Sequence, residues 1–359
     1  MSRFFITFML TMTGFATAAA DIPRTTSGKP DLTGTYDVST LTPLQRPAEF
    51  GNNLYLTPEQ AEEIMAANRA RVADRERNRG PVTEAPPEGG APPIGIGEEF
   101  RESSGAGSVG GYNNFWVDEG DSVFTVDGKF RTSIIIDPEN GRTPALTDAA
   151  RQRFAALRGL RRANDGTAWW VNIDGPGPYD GPESLGISER CIVGFTGAVP
   201  TFPSLYNNYK RIIQTEDHVM ILIEMVHDAR VVRMNVPHRD ASLRSHMGDS
   251  IGWWEDDTLV VETTNFNARS GQARGGSEKL KVTERFERLE SGDLRYKFTV
   301  EDPDVWTAPW TGEYVWRASE EKVYEYACHE GNYSMGGILR GARLLEREAV
   351  QSDSAGGSR

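Results

Sequence analysis

Leu280-Lys281-Val282-Thr283-Glu284-Arg285-Phe286-Glu287-Arg288-Leu289-Glu290-Ser291-Gly292-Asp293-Leu294-Arg295-Tyr296-Lys297-Phe298-Thr299-Val300 is the stretch from which the fold can be read. Leu280, Val282 and Phe286 fall on one face of a strand, and Leu294, Tyr296, Phe298 and Val300 on one face of the next. Glu290-Ser291-Gly292-Asp293 between them is turn chemistry. Working outward, the same alternation predicts strands at about 211–226, 229–236, 249–254, 258–266, 279–289, 294–301, 311–318 and 322–329, joined by short polar pieces such as Glu255-Asp256-Asp257 and Ser319-Glu320-Glu321. Short connections allow only antiparallel pairing, because a parallel pair needs a crossover of a dozen or more residues. The fold class is therefore mainly β: an antiparallel meander forming a barrel or a two-sheet sandwich, calycin-like, with two helices in the N-terminal half.

Both helices lie upstream of the meander. Thr57, Pro58 and Gln60 make a capping box with proline at the first helical position, opening a charged helix to about Arg77. A second, basic helix runs from Thr147 to about Ala163, after short strands at 114–117, 122–126 and 130–136. Between the first helix and these strands, Gly80 to Gly111 is dense in Pro and Gly and reads as a long loop. The domain division is a leader over 1–20, an extended region with one helix and that loop over 21–111, the β-rich domain over 112–345 and a flexible tail over 346–359.

The N-terminus has the three parts of a cleavable signal peptide: Arg3, the apolar run from Phe4 to Met12, and small residues closing at Ala16-Thr17-Ala18-Ala19-Ala20. Cleavage falls after Ala18 or Ala20, and the apolar run is too short for a membrane span. The expected location is the periplasm or outside the cell, with no membrane insertion once the leader is gone. A formal charge of −13 repels phosphate backbones, so nucleic acid is not an expected partner, and a small-molecule ligand or substrate is. In an oxidising compartment Cys191 and Cys328 read as a disulfide; two buried thiols are the alternative. They form no C-x-x-C pair.

Several groups could carry chemistry. Gly248-Asp249-Ser250-Ile251-Gly252 matches the nucleophile-elbow string, but no helix follows it, so close packing at the glycines is the competing explanation. The five histidines, His218, His227, His238, His246 and His329, make no metal-ligand spacing, and neither metal nor other cofactor is expected. By alternation Glu224 shares a face with Met220, Leu222 and Val226, where it would need a partner such as Arg230 or Arg233. A carboxyl in apolar surroundings is how a general base acquires a raised pKa. The candidate catalytic residues are Glu224, His227, Arg230, Asp249 and His329. Tyr206, Asn207, Asn265, Asn267, Glu330, Asn332 and Tyr333, from polar–aromatic clusters at strand ends, are the candidate substrate-binding residues. Most of the eight tryptophans, Trp310 and Trp316 among them, are expected in the core.

Three blocks resemble a large family of exported, mostly uncharacterised bacterial proteins. They are Tyr206-Asn207-Asn208 with Gln214 to Arg230, then Met247-Gly248-Asp249-Ser250 through Trp254 to Asn267, and Tyr324-Glu325-Tyr326-Ala327-Cys328-His329-Glu330-Gly331-Asn332-Tyr333. The resemblance spans residues 30–343 and departs at Asp256, where the family commonly shows glycine in a turn. It implies an exported β-rich domain of a kind common in bacteria that degrade plant and marine polymers. The expected function is a cofactor-independent lyase that abstracts a proton and eliminates from a small aromatic or sugar-derived compound. Glu224 or His227 would be the base and Arg230 the stabiliser of developing negative charge. The alternatives are a non-catalytic ligand-binding barrel and a serine hydrolase using Ser250. The lyase expectation requires Glu224, Arg230, Asp249, Asn265 and His329 to meet in one open pocket.

Overall fold

The computed structural model describes residues 22–77, 117–160, 162, 165–194, 199–268 and 272–356. The expected signal peptide, the Pro/Gly-rich loop and most of the strand at 114–117 lie outside these residues.

Nine strands close a barrel. In order around the wall they are β1 (Gly34–Asp37), β5 (Tyr209–Gln214), β6 (His218–Ile223), β7 (Ala229–Met234), β8 (Asp249–Glu255), β9 (Thr258–Thr264), β10 (Lys281–Arg288), β11 (Leu294–Glu301) and β12 (Trp310–Ser319), with β12 returning to β1. β4 (Ile135–Asp137) pairs with the start of β12, and β2 (Thr125–Val126) with β3 (Lys129–Phe130) forms a separate small hairpin. The quoted stretch is the β10–β11 pair, with Val282 opposite Val300 and Phe286 opposite Tyr296, all four fully buried. Trp310, Tyr314 and Trp316 of β12 are fully buried beside them.

One pairing departs from expectation. An odd number of strands cannot alternate direction all the way round a closed ring, so at least one neighbouring pair must be parallel. Here it is β7 with β8, matched Val232 to Ser250 and Met234 to Gly252. The crossover that makes this feasible is 235–248, long enough for a parallel connection.

The strand expected at 322–329 does not form, and the reason is closure. β12 already has β11 on one edge and β1 with β4 on the other, so the barrel offers no free edge to a further hairpin. The chain instead leaves the wall as extended coil and enters a C-terminal helix, Tyr333–Gly356. That helix occupies most of the segment expected as a flexible tail. Its Ala342, Leu345 and Ala349 pack on Trp169 and Trp170, and Glu346 Oε1 accepts the Trp170 indole N–H at 2.7 Å. With it, helices are not confined to the N-terminal half. α1 (Pro58–Arg77) has its capping box, Thr57 N to Gln60 Oε1 at 2.9 Å and Gln60 N to Thr57 Oγ1 at 3.2 Å. α2 (Asp148–Gly159) is capped by Thr147.

The barrel is plugged from within. The segment from Val199 to Phe202 enters it, and Phe202 lies against Phe298 and Trp310 with ring centroids 5.7 and 6.4 Å away. Thr201 N donates to Tyr296 Oη at 3.1 Å, and Tyr314 Oη donates to Thr201 O at 2.9 Å. Arg230 and Glu284 form a bidentate pair across the interior at 2.5 and 3.1 Å. Tyr296 Oη donates to the same carboxylate at 2.7 Å.

Candidate functional site

Position on the barrel follows from topology. β5 and β7 begin, and β6 ends, at one mouth, and the reversal Glu224–Asp228 joins β6 to β7 there. Glu224 N donates to Tyr209 O, His227 N to Glu224 O and Ile223 N to Asp228 O, at 3.1, 3.2 and 2.8 Å. This tight turn forces Val226 to φ 61° and His227 to φ 43°. Nearby Asn207 has φ 56° and Cys191 φ 57°. Asn tolerates the left-handed region, whereas a β-branched valine there is a true outlier. Val226 is held because its side chain, with Met225, is buried against Cys191, Tyr206, Tyr326 and Cys328.

Beneath this strained backbone is a cluster of buried charge. Lys210 is completely buried, and its Nζ donates to Asn207 O at 3.3 Å. Burial pulls the ammonium down to about 8 against the pull of Glu224, Asp37 and Asp228. Glu224 Oε2 accepts from Tyr209 N at 3.1 Å, and Asp228 Oδ2 from Gly194 N at 3.0 Å. Burial pushes both carboxyls above the usual range, against the bonds from Tyr209 and Asn207 to one and from Gly194 to the other.

Above the cluster lies a cleft of about 500 Å³. Its roof is two segments, 188–191 and 325–334, joined by the Cys191–Cys328 disulfide. Ser188, Glu189, Asn207, Tyr326, Asn332 and Ser334 are among the lining residues. Asn332 Nδ2 donates to Glu189 O at 2.8 Å, tying the roof together a second time. His227 is exposed beside it, with Nδ1 3.1 Å from Tyr326 O. A carbonyl only accepts, so Nδ1 carries a proton, and in the neutral ring the lone pair is then on Nε2.

The expected constellation does not assemble in one place. Glu224, His227, Tyr206, Asn207 and Asn332 gather at this mouth with the disulfide. Arg230 is spent on Glu284 and Arg233 on Asp249, so neither partners Glu224; Arg230, Arg233 and Asp249 instead line a second cleft of about 260 Å³ with Arg239 and Ser250. Glu224 also leaves the expected face. The buried face of β6 is Val219, Ile221 and Ile223, and the strand stops before Glu224. Asp249 lies under the 235–248 crossover. It accepts from Arg233 at 2.9 Å, from His238 Nδ1 at 2.9 Å and from Arg239 N at 2.9 Å. Burial opposes its ionisation, but these bonds outweigh burial and hold its pKa below the usual range. Asn265 donates to Arg239 O at 3.1 Å and steadies the same crossover, while Asn267 N donates to Ser245 O at 2.9 Å. His329, Glu330 and Tyr333 are exposed on the turn and helix start beyond Cys328.

The elbow string is wall, not elbow. Ser250 is buried, its hydroxyl 2.8 Å from Thr263 Oγ1, in a strand that continues to Glu255. Gly248 has φ 71°, and a Cβ there would lie 2.5 Å from Thr264 O. At Gly252 a Cβ would meet Val232 Cγ1 at 2.8 Å and Met234 Sδ at 2.9 Å. Close packing accounts for both glycines.

Lys210 was the residue sequence reasoning missed. Its signal was present, since alternation in β5 puts it on the inward face with Ile212. Among the described residues no group of three or more His, Cys, Asp or Glu side chains is arranged to hold a metal ion, and no helix is long and apolar enough to cross a membrane. No protein-family model matches the chain, and no curated protein does.

Proposed function

We propose that the protein is an exported enzyme that needs no cofactor and eliminates from a small aromatic or sugar-derived compound held in the cleft beside Cys191–Cys328. The observation that carries this reading is the convergence of four left-handed non-glycine residues at one mouth, Cys191 and Asn207 in the cleft lining with Val226 and His227 beside it, next to the buried charges of Lys210 and Glu224 and the half-buried Asp228. Strain of this kind persists where the surroundings over-determine it and clusters at working sites. Perturbed carboxyl and ammonium groups in a cleft point the same way.

In this scheme His227 Nε2 takes the proton from a carbon whose C–H is acidified by a neighbouring carbonyl or aryl group of the ligand. The C–H electron pair becomes the new double bond, and the leaving oxygen departs with a proton from the Tyr326 hydroxyl. Proton return from His227 to Tyr326 closes the cycle. Burial, with Tyr206 nearby, pushes Tyr326 upward and keeps it protonated. Asn207, fixed by buried Glu224 and Lys210, faces the ligand, and Asn332 holds the two roof segments in place around it. Export is part of the proposal: the disulfide suits an oxidising compartment.

The test is turnover by the wild-type chain, without added cofactor, on aryl-ether dimers and oligosaccharides, with products followed by mass spectrometry. Wild type should release an unsaturated product, and His227→Ala and Tyr326→Phe, folded equally well, should lose most of it. Turnover untouched by His227→Ala refutes the scheme. Binding without turnover moves the protein to the second reading, a non-catalytic binder. That reading would use the same cleft, because Thr201 and Phe202 fill the barrel interior.

A further inference from the structure

We infer that the ligand of this cleft is an uncharged saccharide, an inference that rests on the cleft being the working site proposed above. The groups it presents are Ser188, Glu189, Asn207, Glu325, Asn332 and Ser334. None of the described lining residues is cationic, although the chain has 39 lysines and arginines to place there. Two carboxylates at the rim, both exposed, repel a uronate or a benzoate, and nothing in the lining offers a fork to hold one. The nearest buried cation, Lys210, lies beneath the floor, shared among Glu224, Asp37 and Asp228.

The lining is rich in acceptors, so the ligand must bring donors. Each sugar hydroxyl donates once and accepts twice. The Asn332 amide is spent on Glu189 O, Cys191 Sγ and Met335 N, and Asn207 bonds Glu224, so the lining leaves a ligand the Glu189 and Glu325 carboxylates and the serine hydroxyl oxygens as acceptors, with Tyr326 as an aromatic wall. The remaining apolar wall, Ala327 and the disulfide, is too small to cover both rings of an aryl dimer. A cleft of about 500 Å³ is within the range that encloses a small ligand and suits a mono- or disaccharide.

The experiment is calorimetry on the full mature chain with three probe sets matched in size: neutral disaccharides such as cellobiose and xylobiose, a uronate-containing disaccharide, and an aryl-ether dimer with and without a carboxylate. Neutral disaccharides should bind, with the uronate at least about tenfold weaker at low salt. That gap should shrink as salt screens the rim. Glu189→Gln with Glu325→Gln should raise the ratio of uronate to neutral affinity about tenfold. Asn332→Ala should weaken the neutral ligand. The inference is overturned if the uronate or an aryl dimer binds as well as the neutral sugar, if no neutral saccharide binds, or if neither salt nor the Gln pair changes the ratio. Saccharide binding without His227-dependent turnover would remove the lyase and leave this inference standing. His227-dependent turnover of an aryl ether with no saccharide binding would do the reverse.

Discussion

Arg230→Met should be among the most damaging single changes in the barrel. The Arg230 and Glu284 side chains are 2% and 0% exposed, so the carboxylate has no access to water when its partner goes. It keeps only the Tyr296 hydroxyl at 2.7 Å. Stranding a buried charge in this way costs about 3–5 kcal/mol, or roughly 6–20 °C in Tm for a domain of this size. Glu284→Leu strands the guanidinium and should cost a similar amount. The double variant removes both charges and should recover most of the loss, because a buried ion pair is often no better than apolar groups of equal volume. Urea unfolding of all four proteins, disulfide intact and followed by tryptophan fluorescence, gives the cycle. The expected coupling is about 3 kcal/mol or more. A loss under about 1 kcal/mol for Arg230→Met, or a double variant as unstable as the sum of the singles, would show that water reaches the pair and that the interior is not sealed as described.

Four other outcomes are expected. Cys191 and Cys328 are 137 residues apart, so removing the bridge should destabilise by about 5 kcal/mol in the chain-entropy model and expose the segment after 320 to proteases; equal stability of the reduced and oxidised chains refutes this. Lys210 holds its proton less firmly folded, at about 8, than unfolded, near 10.4, so stability should rise with pH from 8 toward 10. Above about 10 it should fall, because burial keeps Tyr36, Tyr296 and Tyr314 protonated in the folded state while unfolded tyrosines ionise. Lys210→Met should abolish the rise, and a slope unchanged by that variant places its cause elsewhere. Gly248→Ala should cost more than about 1 kcal/mol in chemical denaturation, since both the φ of 71° and the Thr264 carbonyl oppose it. Ser250→Ala should leave any turnover intact, and loss of turnover in a folded variant would restore the nucleophile reading.

Most of the wall was legible because strand alternation is local: Val282, Phe286, Tyr296 and Phe298 announce their face within a few residues. What escaped depended on closure or on distance. No window around Lys322 to Cys328 reveals that β12 has both edges occupied, so a plausible strand became coil. Arg230 and Glu284 are 54 positions apart, and either could as well have been a surface charge. The plug around Thr201 looks like any Pro-containing loop until Tyr296 and Tyr314 are brought to it. Glu224 was recognised as a buried acid, but its partners were assigned to the following strand. The actual neighbour, Lys210, is on the preceding one, on a face that alternation had already marked as inward. The site residues that did come together, from Tyr206 to His227 with Asn332, belong to segments tied by the disulfide and the β6–β7 turn.

Val226 is where fold and site meet. A left-handed conformation costs a branched residue about 1–2 kcal/mol, and burying its side chain returns about 1.5–3 kcal/mol. The side chain is 7% exposed, so the burial is nearly complete and the conformation is tolerable only while Cys191, Tyr206 and Tyr326 stay packed on it. Val226→Gly separates these terms. It relieves the backbone, loses the packing and gives the unfolded chain about 0.5–1 kcal/mol more freedom, so the net should be a loss of about 1–2 kcal/mol. Ligand affinity in the cleft should fall further than stability does, because the turn carrying His227 is no longer held in its binding geometry before the ligand arrives. Denaturant midpoints and calorimetry on the same preparation measure both. A Val226→Gly protein more stable than wild type by over about 1 kcal/mol would mean that packing does not offset the strain. The left-handed turn would then be held by something other than the roof packed against it.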